Sequence, residues 1–129
     1  MVCVRGQSLL MYYKFKKHMM LLTKANKKQL PPLYSTESVA MDDKKLIIKF
    51  FDPTGSWTWY ACEGDPKENG DYLFFGLIIG METEWGYFTL SELRKAKNGI
   101  RGIRGLPIER DTSFVPLTVK ELKRNGDYI

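Results

Sequence analysis

One histidine, two cysteines and no long uncharged run set the first limits on this sequence. Cys3 and Cys62 are too few and too far apart for a disulfide scaffold, and with His18 they do not make up the ligands of an ordinary zinc site. The lone His18 lies near the start of the chain and offers no Ser–His–acid triad to the rest of it. Residues 72–81 form the longest uncharged stretch near the middle, about half of what a bilayer crossing needs. A cytoplasmic protein without a membrane partner is therefore expected. No phosphate-binding loop or dinucleotide fingerprint occurs, and neither a cofactor nor a metal ion is expected. What is present is apolar and aromatic. Over 129 residues, 43% are apolar and 13% aromatic, enough for one folded domain with a real core and too much for disorder.

Charge is unevenly spread. The formal net charge is +5, from 20 Lys and Arg against 15 Asp and Glu. Arg5, Lys14, Lys16 and Lys17 supply four of those five charges within residues 1–18, a stretch without a single acid. Its short apolar part runs into lysines with no small-residue cleavage site, so it is not a secretory signal. Two readings remain: a basic arm for nucleic acid or an anionic membrane, or a leader outside the native protein, since Met19 and Met20 open a better-formed segment. The leader reading is preferred, with 19–129 as one globular domain. Within that domain, residues 52–92 hold eight acids and one lysine, whereas 93–124 hold nine cations and three acids. The domain is dipolar rather than basic.

The coarse order of elements is α+β. Residues 21–30 read as a short helix with Thr23 as N-cap, ended by Pro31-Pro32; 35–45 are polar and loop-like. Strands are expected at 46–51, 57–63, 72–79 and 84–89, with turns at 52–55 and 64–70. The apolar run 72–79 is expected at the centre of the sheet. Thr89 with Glu92 and Thr118 with Glu121 fit capping boxes opening two further helices. Asn98-Gly99 would end the first of these, and residues 108–114 offer a short extended segment. The expected fold is a small antiparallel meander of about four strands, an N-terminal helix and one or two C-terminal helices.

These landmarks carry a resemblance. Leu30-Pro31-Pro32-Leu33-Tyr34, Lys49-Phe50-Phe51 before Pro53, Trp57-Thr58-Trp59-Tyr60, Glu63-Gly64, Leu73-Phe74-Phe75-Gly76, Glu84-Trp85-Gly86-Tyr87-Phe88 and Ile108-Glu109-Arg110-Asp111 occur in this order. Over roughly 21–116 the chain resembles the domain-of-unknown-function family 2958, small bacterial proteins common on plasmids and integrative elements. The Gly-Ile-Arg duplication in 99–105 and the basic tail after Leu117 depart from the pattern. The resemblance implies a mobile-element accessory role and a start near Met19 or Met20. It brings no established activity with it.

Candidate sites follow from strand alternation. Trp57, Trp59, Ala61 and Glu63 are expected on one strand face, with Thr58, Tyr60 and Cys62 on the other. With Trp85, the tryptophans offer either a stacking platform or core residues with satisfied N–H groups. Glu63, Glu82, Glu84, Glu109 and Asp111 have no separation that sequence can supply, so a catalytic pair is not assigned. Glu109-Arg110-Asp111 is the best single place for a polar site, although an Arg between acids ordinarily makes structural ion pairs. Cys62, with no His nearby, is expected to be an inert thiol.

The resulting expectation is a non-enzymatic module that binds another protein through Trp57, Trp59, Glu63, Trp85, Glu109, Arg110 and Asp111. The alternative is nucleic-acid binding through Arg94, Lys95, Lys97, Arg101, Arg104, Lys120, Lys123 and Arg124, with strong salt dependence. An enzyme ranks third, for want of a nucleophile or an acid–base set.

Overall fold

A computed structural model describes residues 20–53, 57–96 and 107–129. The expected extension 1–18, the Asn98-Gly99 cap and the Gly-Ile-Arg repeat lie outside the described residues. Among those described, the chain runs α1 (Lys24–Gln29), a 3-10 turn (Met41–Asp43), β1 (Lys45–Leu46), β2 (Ile48–Phe51), β3 (Thr58–Pro66), β4 (Tyr72–Ile79), β5 (Thr83–Thr89), α2 (Leu90–Lys95), β6 (Glu109–Arg110), β7 (Leu117–Thr118) and α3 (Val119–Arg124).

The fold is α+β, as the pattern of periods predicts. Strands β2 to β5 form an antiparallel meander, and β6 adds to β2 to give the order β5-β4-β3-β2-β6. The centre is therefore β3, not the apolar run of β4. Sequence reading missed this because β6 has two residues and no periodic signal, yet its pairing with β2 shifts the centre by one strand. A second difference is the break at Ile47. The run 46–51 divides into β1, paired with β7, and β2 in the main sheet.

Each helix has only six residues, too short to persist alone. All three open with a capping box, at Thr23 with Asn26, Thr89 with Glu92 and Thr118 with Glu121. Each cap stabilises its helix by about 1 kcal/mol, and packing supplies the rest. Leu90 and Leu93 of α2 pack on one sheet face beside Phe50, Trp59, Phe74 and Phe88. Val119 and Leu122 of α3 pack on the opposite face beside Tyr60, Cys62, Leu77 and Ile79. On the first face the rings of Phe74 and Phe88 are 5.2 Å apart and those of Phe50 and Phe74 5.6 Å apart. Such pairs add about 0.5–1.5 kcal/mol each beyond their buried area.

The register of β3 against β4 shifts between Ala61 and Glu63. Ala61 faces Gly76 and Glu63 faces Phe75, so Cys62 is the extra residue of a β-bulge. Expected alternation thus fails at one point. Glu63 lies on the face of Tyr60 and Phe75, opposite to Trp59. Backbone approach is close here: a Cβ on Gly76 would sit 1.7 Å from the Tyr60 carbonyl oxygen, so only glycine fits.

Candidate functional site

Strand β2 pairs with β3 only over Thr58–Ala61. The far half of β3 therefore has one open edge whose backbone groups need partners. The segment 31–36 supplies them. The Gly64 N–H donates to the Pro31 carbonyl at 3.0 Å, and Leu33 N–H donates to Asp65 Oδ2 at 2.9 Å. Glu63 accepts from Tyr34 N–H at 2.7 Å, from Thr36 N–H at 3.2 Å and from the Thr36 hydroxyl. Lys44 Nζ donates to the Thr36 carbonyl and to Thr36 Oγ1, the latter at 3.0 Å. A carboxylate and an ammonium, only 3% and 5% exposed, thus meet through one threonine. Burying both is tolerable because each is hydrogen-bonded within the network.

This network strains the chain at one residue. Tyr34 has φ of 69°, in the left-handed region that a side chain with a Cβ rarely adopts. Glu63 holds the Tyr34 N–H while the ring swings outward, 59% exposed. It lies 6.4 Å from the ring of Tyr87, itself 49% exposed. Strain of this kind concentrates at ligand-holding sites.

Around the network opens a cleft of about 480 Å³ lined by Tyr34, Glu37, Val39, Met41, Lys44, Glu63, Phe75 and Tyr87, with Ala40. Its rim is apolar and exposed, and its floor is polar and occupied by internal bonds. The Tyr87 phenol titrates above its usual range, first because it is hydrogen-bonded to Tyr34. Behind the floor, burial pushes the Cys62 thiol up to about 11, and the Glu63 charge adds to that shift. The thiol stays protonated at neutral pH, in accord with an inert cysteine. Burial, aided by Asp127 and Asp111, raises Tyr60 to about 12.

The other predicted residues are dispersed. Trp57 and Trp59 stack on each other at 6.0 Å on the first face. Trp85 stacks on Phe75 at 5.6 Å, with its ring packed against the second core. The three indoles therefore form no common platform. Arg110 donates to the Met20 carbonyl at 2.7 Å, and Asp111 lies 3.9 Å from Lys49 while accepting from Ser113 N–H at 2.9 Å. Arg110 and Asp111 border a recess of about 170 Å³. Glu109 faces Phe51 across the β2–β6 pairing, on the sheet side away from Arg110.

The basic residues are split as well. Arg94 and Lys95 stand on α2, while Lys120, Lys123 and Arg124 stand on α3, across the sheet. Lys123 pairs with Asp42 at 2.9 Å. Lys97, Arg101 and Arg104 lie outside the described residues.

A family model described as "Protein of unknown function (DUF2958)" matches residues 17–121. The chain belongs to this family. The match takes in the Tyr34 segment, Glu63 and β5, so the whole cleft lies within the family region. No curated protein and no solved structure matches the chain.

Of the cleft, sequence reading had singled out only Glu63, and on the wrong strand face. Tyr34, Val39 and Met41 had one visible signal: they are large apolar side chains in a polar, loop-like stretch that follows Pro31-Pro32. Among the described residues no helix is long and apolar enough to cross a membrane, and no three His, Cys, Asp or Glu side chains converge on a metal-sized site.

Proposed function

We propose that the protein is a non-enzymatic module that binds another protein, taking a segment of it into the Tyr34–Tyr87 cleft. This accords with the accessory role on mobile elements that the family resemblance implies. The observation that carries the reading is the exposure of Tyr34, Val39, Met41 and Tyr87 around one opening. Exposed aromatics and methionine over a concave floor are the composition of contact hot spots. The charge on the lining narrows the partner. Glu37 lines the cleft with an exposed carboxylate, whereas Glu63 and the one cation, Lys44, are buried and committed to Tyr34 and Thr36. A segment with an apolar anchor beside Lys or Arg therefore fits better than an acidic one. The same commitments argue against catalysis, because Glu63 and Lys44 hold a loop rather than face a substrate.

The test is capture of the partner from host cells, followed by titration of the purified partner against wild type and Tyr34→Ala. Loss of a hot-spot tyrosine weakens binding by at least tenfold. A partner that binds both proteins equally well overturns the cleft reading. For the nucleic-acid alternative, α2 and α3 place their cations on opposite sheet faces, so a single duplex would meet one set. Duplex binding at ordinary salt that is lost on reversing Lys120, Lys123 and Arg124 would favour that alternative.

A further inference from the structure

The two edges of the main sheet are finished differently. At one edge β6 has two residues and leads into Asp111. At the other, β5 has seven residues, pairs with β4 without a register shift, and contains no Pro and one charged residue, the exposed Glu84. Edge strands of this length are ordinarily blunted by charge, proline, a bulge or a cover. After β5 the chain turns into α2, which packs on the first sheet face and leaves the edge itself unpaired among the described residues.

The hydrogen-bond phase of the β4–β5 hairpin identifies the open groups. Gly80 N–H donates to the Glu82 carbonyl at 3.0 Å, so that pair is a closed rung. Alternation along the register then turns the N–H and C=O of Thr83, Trp85, Tyr87 and Thr89 outward. Thr89 N–H is taken by Glu92 Oε1. Thr83, Trp85 and Tyr87 remain as the donors and acceptors of the edge, with Gly86 between the last two.

Gly86 is the second observation. Its cross-strand partner Gly76 is sterically obligatory, whereas a Cβ on Gly86 would meet nothing nearer than Ile78 Cδ1 at 3.4 Å. Packing within the chain gives no reason for glycine there. A glycine inside a strand commonly marks the close approach of another backbone.

We propose that β5 pairs antiparallel with β5 of a second copy of this chain, on a two-fold axis through Gly86. This register uses the full strand and places Trp85 opposite Tyr87 of the second copy, in about four backbone hydrogen bonds. The aromatic row of Phe75, Trp85 and Tyr87, in which the Phe75 ring lies 5.6 Å from Trp85 and 5.0 Å from Tyr87 within the chain, then continues across the axis. Glu84 falls opposite Phe88, so no like charges meet; a register centred on Glu84 would oppose two carboxylates. The contact is small, and the dimer is accordingly weak and concentration-dependent. Tyr87 is shared with the cleft, but the pairing is made by its backbone and does not rest on the cleft reading.

Sedimentation of the full chain from low to several hundred micromolar tests the pairing. The expected result is a rise in mass from 15.0 kDa toward twice that value, abolished by Gly86→Lys, which places two ammonium groups face to face at the axis. A chain that stays monomeric throughout overturns the proposal, as does a dimer that Gly86→Lys leaves intact. If Gly86→Lys does not fold, Gly86→Cys in a Cys3→Ser background decides. Oxidation should then give a covalent dimer, and Glu84→Cys in the same background should not. Equal cross-linking of both, or of neither, overturns the register. Tyr34→Ala should leave dimerisation unchanged, so failure of the cleft reading and failure of the edge pairing remain distinguishable.

Discussion

The two faces of the sheet are built from the same kinds of side chain and put to different ends. The first is closed: Phe50, Trp59, Phe74 and Phe88 touch one another, and Leu22, Leu30, Leu90 and Leu93 complete the cover. The second is closed only in part. Val119 and Leu122 seal Tyr60, Leu77 and Ile79, but beyond them Phe75 and Tyr87 meet the open cleft with Glu63 and Lys44 in its floor. A sheet with one closed face has stability enough to leave part of the other open. The price is the strain at Tyr34 and a buried ion network that must stay fully bonded.

Substitutions that separate the two faces test this contrast. The largest effect is expected on the first face: Phe74→Ala should cost about 3–5 kcal/mol in denaturant unfolding. If it costs no more than an exposed substitution, the closed face does not carry the fold. Next comes Glu63→Gln, which replaces the carboxylate that accepts from Tyr34 and Thr36. A loss of about 2 kcal/mol is expected, with faster hydrogen exchange at the Tyr34 and Thr36 amides and unchanged exchange in β2. Uniform acceleration would mean that Glu63 supports the whole fold rather than the 31–36 segment.

Tyr34→Gly should act in the opposite sense. It removes the left-handed strain and raises stability by up to about 1 kcal/mol, while partner binding falls. A destabilised Tyr34→Gly protein would show that the tyrosine is structural. The effect of pH lies outside the neutral range: the shifts of Cys62 and Tyr60 change nothing near pH 7 and act only in alkaline solution. The Cys62 thiol titrates at about 11 in the folded chain against an ordinary 9.0. Between those values the unfolded chain has lost the proton and the folded chain has kept it, so stability falls as pH rises from 9.0 through about 11. Cys62→Ala should flatten the profile between 9.0 and 10.0 and make it shallower above that, where the slope due to Tyr60 remains. An unchanged profile would place the thiol in water.

Local signals in the sequence were readable. Thr89 with Glu92 and Thr118 with Glu121 announce their helices because a capping box needs only four residues. The alternation of β5 and the apolar run of β4 announce strands in the same way. Long-range features were not readable. The two residues of β6 and the two of β7 become strands only because β2 and β1 stand beside them. The cleft is made by a loop near residue 34, a bulge near 62 and two later strands, and nothing in any one segment refers to the others. Glu63 is the clearest case. Its identity drew attention to it, but strict alternation assigned it to the face of Trp59.

That assignment failed by a single residue, and the bulge can be understood as a frame shift written in side chains. Upstream of Cys62 the strand is phased with β2, and downstream it is phased with the 31–36 segment and with Phe75. Without the bulge, strict alternation through Cys62 would carry Glu63 onto the face of Trp59, aiming its carboxylate among the phenylalanines and withdrawing it from Tyr34 and Thr36. One bulged residue thus lets a single strand hold Trp59 and Ala61 against the phenylalanines and, four residues on from Trp59, a buried carboxylate against the 31–36 segment, without the two surfaces meeting.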